Sequence, residues 1–164
     1  MTSASSKLAL MFTDIVGYSK IADADEAASL KILSRHDEIL SKIIISHNGR
    51  VVKHIGDSIF ASFTGSDDAL NSSIEIQEAI AEANRTAQKK YQFQIRIGLH
   101  LGDVIEKSDD LFGNDVNICN RIEGVALPDQ ITISKDLLDS LESTDGYYYR
   151  AIGDVKLKNI SGPV

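Results

Sequence analysis

The chain has 164 residues, a formal net charge of −7, 43% hydrophobic residues and one cysteine. That length suits one domain with a hydrophobic core of its own, and the acidic balance argues against a general nucleic-acid binder, which presents a basic face. A lone cysteine excludes an internal disulfide framework and suits a reducing compartment. With no bilayer-length apolar stretch and no signal-peptide h-region, the chain reads as cytoplasmic.

Residues 1–7 are polar and read as a disordered lead-in to a domain over 8–164. The apolar run Lys7 to Phe12, ending in Thr13-Asp14, predicts a buried strand. Asp23 followed by Glu26 resembles a capping box, and Leu30, Leu33, Leu40 and Ile44 recur at helical spacing before Asn48-Gly49. A long amphipathic helix over 24–47 follows. Arg50 to Ile55 and Ser58 to Phe63 flank Gly56-Asp57 and predict a tight hairpin. Ser66, Asp67 and Asp68 suit a helix start, so 66–89 is the second helix. Phe93 to Leu101 alternate strictly apolar and polar, a strand pattern. Gly113 to Val125 reads as a helix, Ile131 to Ser134 as a strand and Lys135 to Glu142 as a short helix. Tyr147–Tyr149 and Val155–Leu157 read as closing strands. The β-α-β-β-α-β order predicts an α+β, ferredoxin-like core. It has one helical layer over a mostly antiparallel sheet, plus a small C-terminal α/β subdomain.

Three polar segments carry the chemistry: Phe12-Thr13-Asp14-Ile15-Val16-Gly17-Tyr18-Ser19, Lys53-His54-Ile55-Gly56-Asp57, and Asp110 to Arg121. Asp14 ends the first strand and Asp57 tips the hairpin. In a ferredoxin-like core those strands are neighbours, about 5 Å apart. Two converging carboxylates plus substrate phosphates is how Mg²⁺ is usually held. Each Asp alone would serve equally as a turn residue; together with their flanks they favour the metal reading. Gly17 permits close backbone approach, and the turn can aim N–H groups at phosphate oxygens. Asn117 and Arg121 are four apart on one helix face and could stabilise charge at a phosphorus centre. Among the histidines, His36 and His47 read as solvated on the long helix, His54 as a neighbour of Lys53, and His100 as a sheet residue. Cys119 reads as a small helix-packing residue.

These segments, with Arg96-Ile97-Gly98-Leu99-His100-Leu101-Gly102 and Gly153-Asp154-Val155-Lys156-Leu157-Lys158, resemble the catalytic domain of class III adenylyl and guanylyl cyclases over Leu8 to Val164. The resemblance implies roles. Asp14 and Asp57, helped by the Ile15 carbonyl, would bind two divalent ions, Mg²⁺ or Mn²⁺. Gly17, Tyr18 and Ser19 would cradle phosphates, Lys158 and Lys135 would contact them, and Lys53 and Asp110 would read the purine. Asn117 and Arg121 would act on the transition state. It implies cyclisation of a nucleoside triphosphate at sites shared between two subunits, hence a homodimer, since the chain carries both half-sets. Adenine accepts at N1 and donates from its 6-amino group, matching Lys53 and Asp110, whereas guanine has the reverse pattern. A mispaired buried polar group costs about 1–3 kcal/mol, so ATP is expected over GTP. A guanylate cyclase and a non-catalytic nucleotide-binding module remain the alternatives. The chain is expected to stop before a final family strand, and a regulatory domain to lie outside it.

Overall fold

The computed structural model describes residues 4–157, 162 and 164. Six strands form one sheet: β1 (Ser5–Ile15), β2 (Arg50–Ile55), β3 (Ser58–Phe63), β4 (Ile95–Lys107), β5 (Asp110–Phe112) and β6 (Ile131–Ile133). The helices are α1 (Tyr18–Ala24), α2 (Glu26–Ser46), α3 (Ser66–Thr86), α4 (Asn114–Gly124) and α5 (Lys135–Asp139). Strand order is β2-β3-β1-β4-β5, and β6 pairs parallel with β4 while the remaining ladders are antiparallel. The first four strands reproduce the expected ferredoxin-like core, and the fold is α+β.

β1 is central, and its two faces feed two separate cores. Ala9, Met11 and Ile15 pack with Ile32, Leu40 and Ile44 of α2 and Ile76 and Ile80 of α3. Leu10 and Phe12 point the other way, against Phe60, Val104, Leu111 and Cys119. Burial on both faces is why β1 reads as a continuous apolar run rather than an alternating one. α2 buries Ala28, Ile32, His36, Leu40, Ile43 and Ile44, one stripe at helical spacing. His36 therefore lies in the core, fully buried, and the expectation that it is solvated fails.

Several boundaries differ from expectation. β1 begins at Ser5, inside the stretch read as a lead-in. The long helix is capped by Asp25, which accepts from the Ala28 N–H at 2.9 Å, and Asp23 belongs to the separate helix α1. β4 starts at Ile95, because the Phe93 backbone is instead bonded at both its N–H and C=O to the Asn84 side chain. No strand forms at 147–149; the Tyr147 hydroxyl donates to Asn71 and ties this segment to α3. At 155–157 there is only an isolated bridge, with Val155 and Val164 exchanging backbone bonds of 3.1 and 3.0 Å.

The sequence reading placed one helical layer on the sheet; the structure adds α4 on the opposite face. Gly98 and Gly102 of β4 make this possible. A Cβ on Gly98 would stand 2.4 Å from the Glu123 backbone nitrogen, and one on Gly102 would stand 2.3 Å from the Asp115 Cβ. Cys119 seals the contact, its Sγ 3.3 Å from the Leu10 carbonyl oxygen. The sheet also curls. Its edge strands β2 and β5, far apart in strand order, meet through Lys53–Asp110 at 2.8 Å, and Arg50 of β2 reaches Glu106 of β4 at 2.9 Å.

Candidate active site

The antiparallel register sets Asp14 opposite Arg96, at the end of β1 where the α2/α3 face gives way to the α4 face. The hairpin tip comes to the same point. Ile55 pairs with Ser58 across Gly56-Asp57, and Asp57 Oδ2 accepts the Ile15 N–H at 2.9 Å. Asp14, Ile15 and Asp57 are thus brought together as expected. Asp14 Oδ1 is buried and has no hydrogen-bond partner, while Oδ2 faces the Arg96 guanidinium at 3.7 Å. A buried carboxylate oxygen left unpaired is costly, and a cation is one partner that would satisfy it. Among the described residues no group of three or more His, Cys, Asp or Glu side chains could hold a metal ion by itself. The two aspartates therefore fit a metal that completes its shell with phosphate oxygens and water, as Mg²⁺ commonly does.

Gly17 follows this junction in the left-handed conformation, φ 66°, and caps α1. A Cβ there would meet nothing within 4 Å, so the backbone angle, not crowding, selects glycine. The Tyr18 hydroxyl donates to the Ser29 carbonyl at 3.4 Å and ties α1 to α2; the first N–H groups of a helix have no partner within it.

Lys53 and Asp110 also meet. The Lys53 ammonium donates to Asp110 Oδ2 at 2.8 Å, and Asp110 Oδ1 accepts the Leu111 N–H at 2.8 Å. The Lys53 hydrogen bond holds the Asp110 carboxyl below the usual carboxylate range. The side chains are 41% and 26% exposed, so both retain open donor and acceptor positions. Asn117 and Arg121 share the exposed face of α4. Lys135 stands apart: its ammonium pairs with Asp139 at 2.7 Å on α5, whose Leu137 packs in the α2/α3 core. Lys158 lies outside the described residues.

The profile described as "Adenylate and Guanylate cyclase catalytic domain" matches residues 2–163. The chain belongs to the adenylate and guanylate cyclase catalytic domain family. It is 32% identical over 157 residues to "Putative adenylate cyclase 3" of Rhizobium meliloti, covering 95% of this chain but 27% of that protein. The cyclase fold is equally clear in solved structures. An adenylate/guanylate cyclase/hydrolase from Silicibacter pomeroyi aligns with a TM-score of 0.90 and 28% identity, covering 99% of this chain and 95% of the other. The guanylyl cyclase Cya2 aligns at 0.82 with 22% identity, covering 99% and 91%. Cyclases named for either base thus share this fold, and the fold does not choose between ATP and GTP.

Sequence reasoning missed two polar residues beside Asp14 and Asp57. Glu123, at the end of α4, is 6% exposed and meets the Asp14 carboxyl group. Burial, then the neighbouring Asp14, pushes the Glu123 carboxyl well above the usual carboxylate range. Arg96 was read only as part of a strand. A charged residue on the inward phase of a helix that also carries Asn117 and Arg121 was the available signal for Glu123. His100, read as a sheet residue, is one: buried, it bridges Ser134 Oγ at 2.7 Å and Asp115 Oδ1 at 2.8 Å. Burial pushes the Cys119 thiol far above its ordinary range, in keeping with a packing role. No helix among the described residues is long and apolar enough to cross a membrane.

Proposed function

We propose that this domain is an adenylate cyclase, converting ATP to 3′,5′-cyclic AMP and pyrophosphate at two sites shared by a homodimer. The observation that carries the reading is the junction of Asp14 and Asp57, where the Asp57 carboxylate accepts the Ile15 N–H and a buried Asp14 oxygen has no hydrogen-bond partner. Two divalent ions, Mg²⁺ or Mn²⁺, would bind there and supply the charge that acidifies the ribose 3′-hydroxyl and neutralises the triphosphate. Asp14 and Asp57 hold that charge, with the Ile15 carbonyl beside them. The N–H groups of Gly17, Tyr18 and Ser19 orient the β- and γ-phosphates, with Lys158 as a further phosphate contact; Lys135, paired with Asp139 away from the carboxylates, is left out of this set. Attack of the 3′-oxygen on the α-phosphorus is in line, and pyrophosphate leaves. Asn117 orients the ribose, and Arg121 meets the charge that develops on the phosphoryl group.

The base preference rests on Lys53 and Asp110. The ammonium can give a second hydrogen bond to adenine N1 while it still holds Asp110, whose free lone pairs accept from the 6-amino group. Asn117 and Arg121 face solvent on α4, so a second copy of the chain can present them to the first copy's carboxylates. Each dimer then has two complete sites, and a monomer has none.

The test is product analysis by chromatography. Concentrated protein is incubated with ATP, or separately GTP, in Mg²⁺ and in Mn²⁺, with Asp57→Ala as control. Cyclic AMP that disappears in the variant is expected. Cyclic GMP as the main product would make the domain a guanylate cyclase, and no cyclic product from either nucleotide would leave a binding module.

A further inference from the structure

Five buried side-chain polar atoms among the described residues lack a hydrogen-bond partner, and three of them, Asp14 Oδ1, Arg96 Nε and Glu123 Oε1, belong to neighbouring residues. They converge where β1 ends, β4 begins and α4 closes. Two carboxyl groups and one guanidinium are packed there with their hydrogen bonding incomplete, which is costly unless the arrangement serves a ligand or a neighbour.

Helix phase explains how Glu123 arrives. Asn117 and Arg121 are four residues apart and share the outer face of α4. Two residues further on, the helix has turned by roughly 200°, so Glu123 points back at the sheet. Gly98 beneath it has no side chain, and the Glu123 backbone rests directly on β4. Arg96, two residues before Gly98 on the same face of β4, stands 3.7 Å from Asp14. Asp57 adds its charge to the same cluster.

We propose that Glu123 is a positioning residue for Asp14, and so serves the metal-binding half of the site, although it stands two residues after Arg121 on the helix that carries the other half. The proposal rests on the shared-site cyclase reading above. Glu123 stands against the Asp14 carboxyl group, and Arg96 faces both carboxyl groups. With Glu123 cut back to alanine, Asp14 gains room to turn inward, and Arg96 becomes its sole partner. Both changes draw the carboxylate away from Asp57 and set Arg96 in competition with a metal ion.

In a shared-site dimer this makes a prediction that sequence proximity would reverse. Inactive Asp57→Ala and Arg121→Ala subunits, mixed one to one, should recover about one quarter of wild-type activity, because half of the dimers are then mixed and each has one intact site. That control tests the parent reading. Glu123→Ala should then be rescued by Arg121→Ala subunits and not by Asp57→Ala subunits. Rescue by Asp57→Ala, rescue by neither, or full activity of Glu123→Ala alone would overturn the assignment.

A readout independent of turnover accompanies it. Mn²⁺ titration followed by electron paramagnetic resonance should show affinity about 10- to 100-fold weaker in Glu123→Ala, the range for lost outer-shell partners, and unchanged in Arg121→Ala. Glu123→Gln, which keeps the side-chain volume beside Asp14, should recover most of that affinity. Circular dichroism and thermal melts of each variant confirm that the fold is retained. If the control mixture fails, the parent reading fails, and the Mn²⁺ titration still decides whether Glu123 supports Asp14: unchanged affinity in Glu123→Ala would refute it.

Discussion

Gly98→Ala probes the seat of α4 with a single methyl group. The added Cβ would lie 2.4 Å from the Glu123 nitrogen and 2.6 Å from its Cα. Those are backbone atoms, so no side-chain rotation relieves the clash. Reaching even a tight contact of 3.4 Å requires a shift of about 1 Å, and α4 is held against one. Cys119 Sγ lies 3.3 Å from the Leu10 carbonyl oxygen, and Asp115 Oδ2 accepts the Asp103 N–H at 2.8 Å. Overpacking of this kind costs about 1–3 kcal/mol. For a domain of this length each kcal/mol moves the melting temperature by about 2–4 °C, giving a loss of roughly 2–12 °C.

The same displacement moves Asn117 and Arg121. A 1 Å misplacement of catalytic groups can cost about 10²-fold in rate, so if Asn117 and Arg121 act as proposed, cyclic nucleotide formation should fall by that order while the protein remains folded. Gly124→Ala is the internal control. It lies on the same helix, and its Cβ would meet nothing within 4 Å. Relief of unfolded-state entropy should raise stability by about 0.4–1 kcal/mol there. Both are read by calorimetry and by initial rates at saturating ATP. A Gly98→Ala protein with wild-type melting and turnover would show that α4 does not rest on β4 as described.

Three further outcomes follow from named contacts. Lys53→Glu removes the donor to adenine N1 and sets a second carboxylate against Asp110, so kcat/KM for ATP should fall by about 10-fold or more per lost hydrogen bond, read against GTP as competitor. His36 is buried and its pKa is lowered, chiefly by desolvation. The unfolded chain then takes up a proton below about pH 6.5 that the fold does not, so stability drops as pH falls from 6.5 toward the folded value. Glu123, whose carboxyl is raised, works in the opposite direction and is common to both proteins, so the test is a difference: the melting temperature of wild type minus that of His36→Gln should fall as pH drops from 7 to 5.5, and a flat difference would refute the assignment. Cys119 is fully buried with a raised thiol pKa, so native protein should resist alkylation at pH 8 and react on unfolding, with labelling quantified by mass spectrometry.

The elements legible in the sequence were those whose pattern is local. The hairpin around Gly56-Asp57 and the helices expected over 24–47 and 66–89, found at Glu26–Ser46 and Ser66–Thr86, follow from turn chemistry and helical spacing, and Asp14 beside Asp57 follows from the core topology. What escaped was set by contacts distant in sequence. β5 is three residues long and forms only because Ile105 to Lys107 offers an edge. The Tyr147–Tyr149 run has strand-like composition, yet finds no strand edge and docks by a hydroxyl on Asn71. His36 looks polar in the sequence, but its phase on α2 buries it, edge-on to Phe93 with ring centroids 6.1 Å apart.

The candidate site shows the same division. Asn117, Arg121 and Glu123 sit within seven residues, and composition alone would assign them one task. Helix phase separates them: the first two face solvent, where a second copy can receive them, and the third turns under the sheet to Asp14. Arg96 is likewise ordinary as a strand residue and becomes distinctive only through the register that sets it opposite Asp14. Curling of the sheet does for Lys53 and Asp110 what phase does for Glu123, joining residues from opposite ends of the strand order at 2.8 Å. A perturbation of the curl should therefore weaken base selection without touching the carboxylates. Arg50→Ala, which removes the Arg50–Glu106 link at the same seam, is expected to raise KM for ATP and blur its preference over GTP while Mn²⁺ affinity holds. Equal loss of both would mean that the seam and the metal junction move as one body.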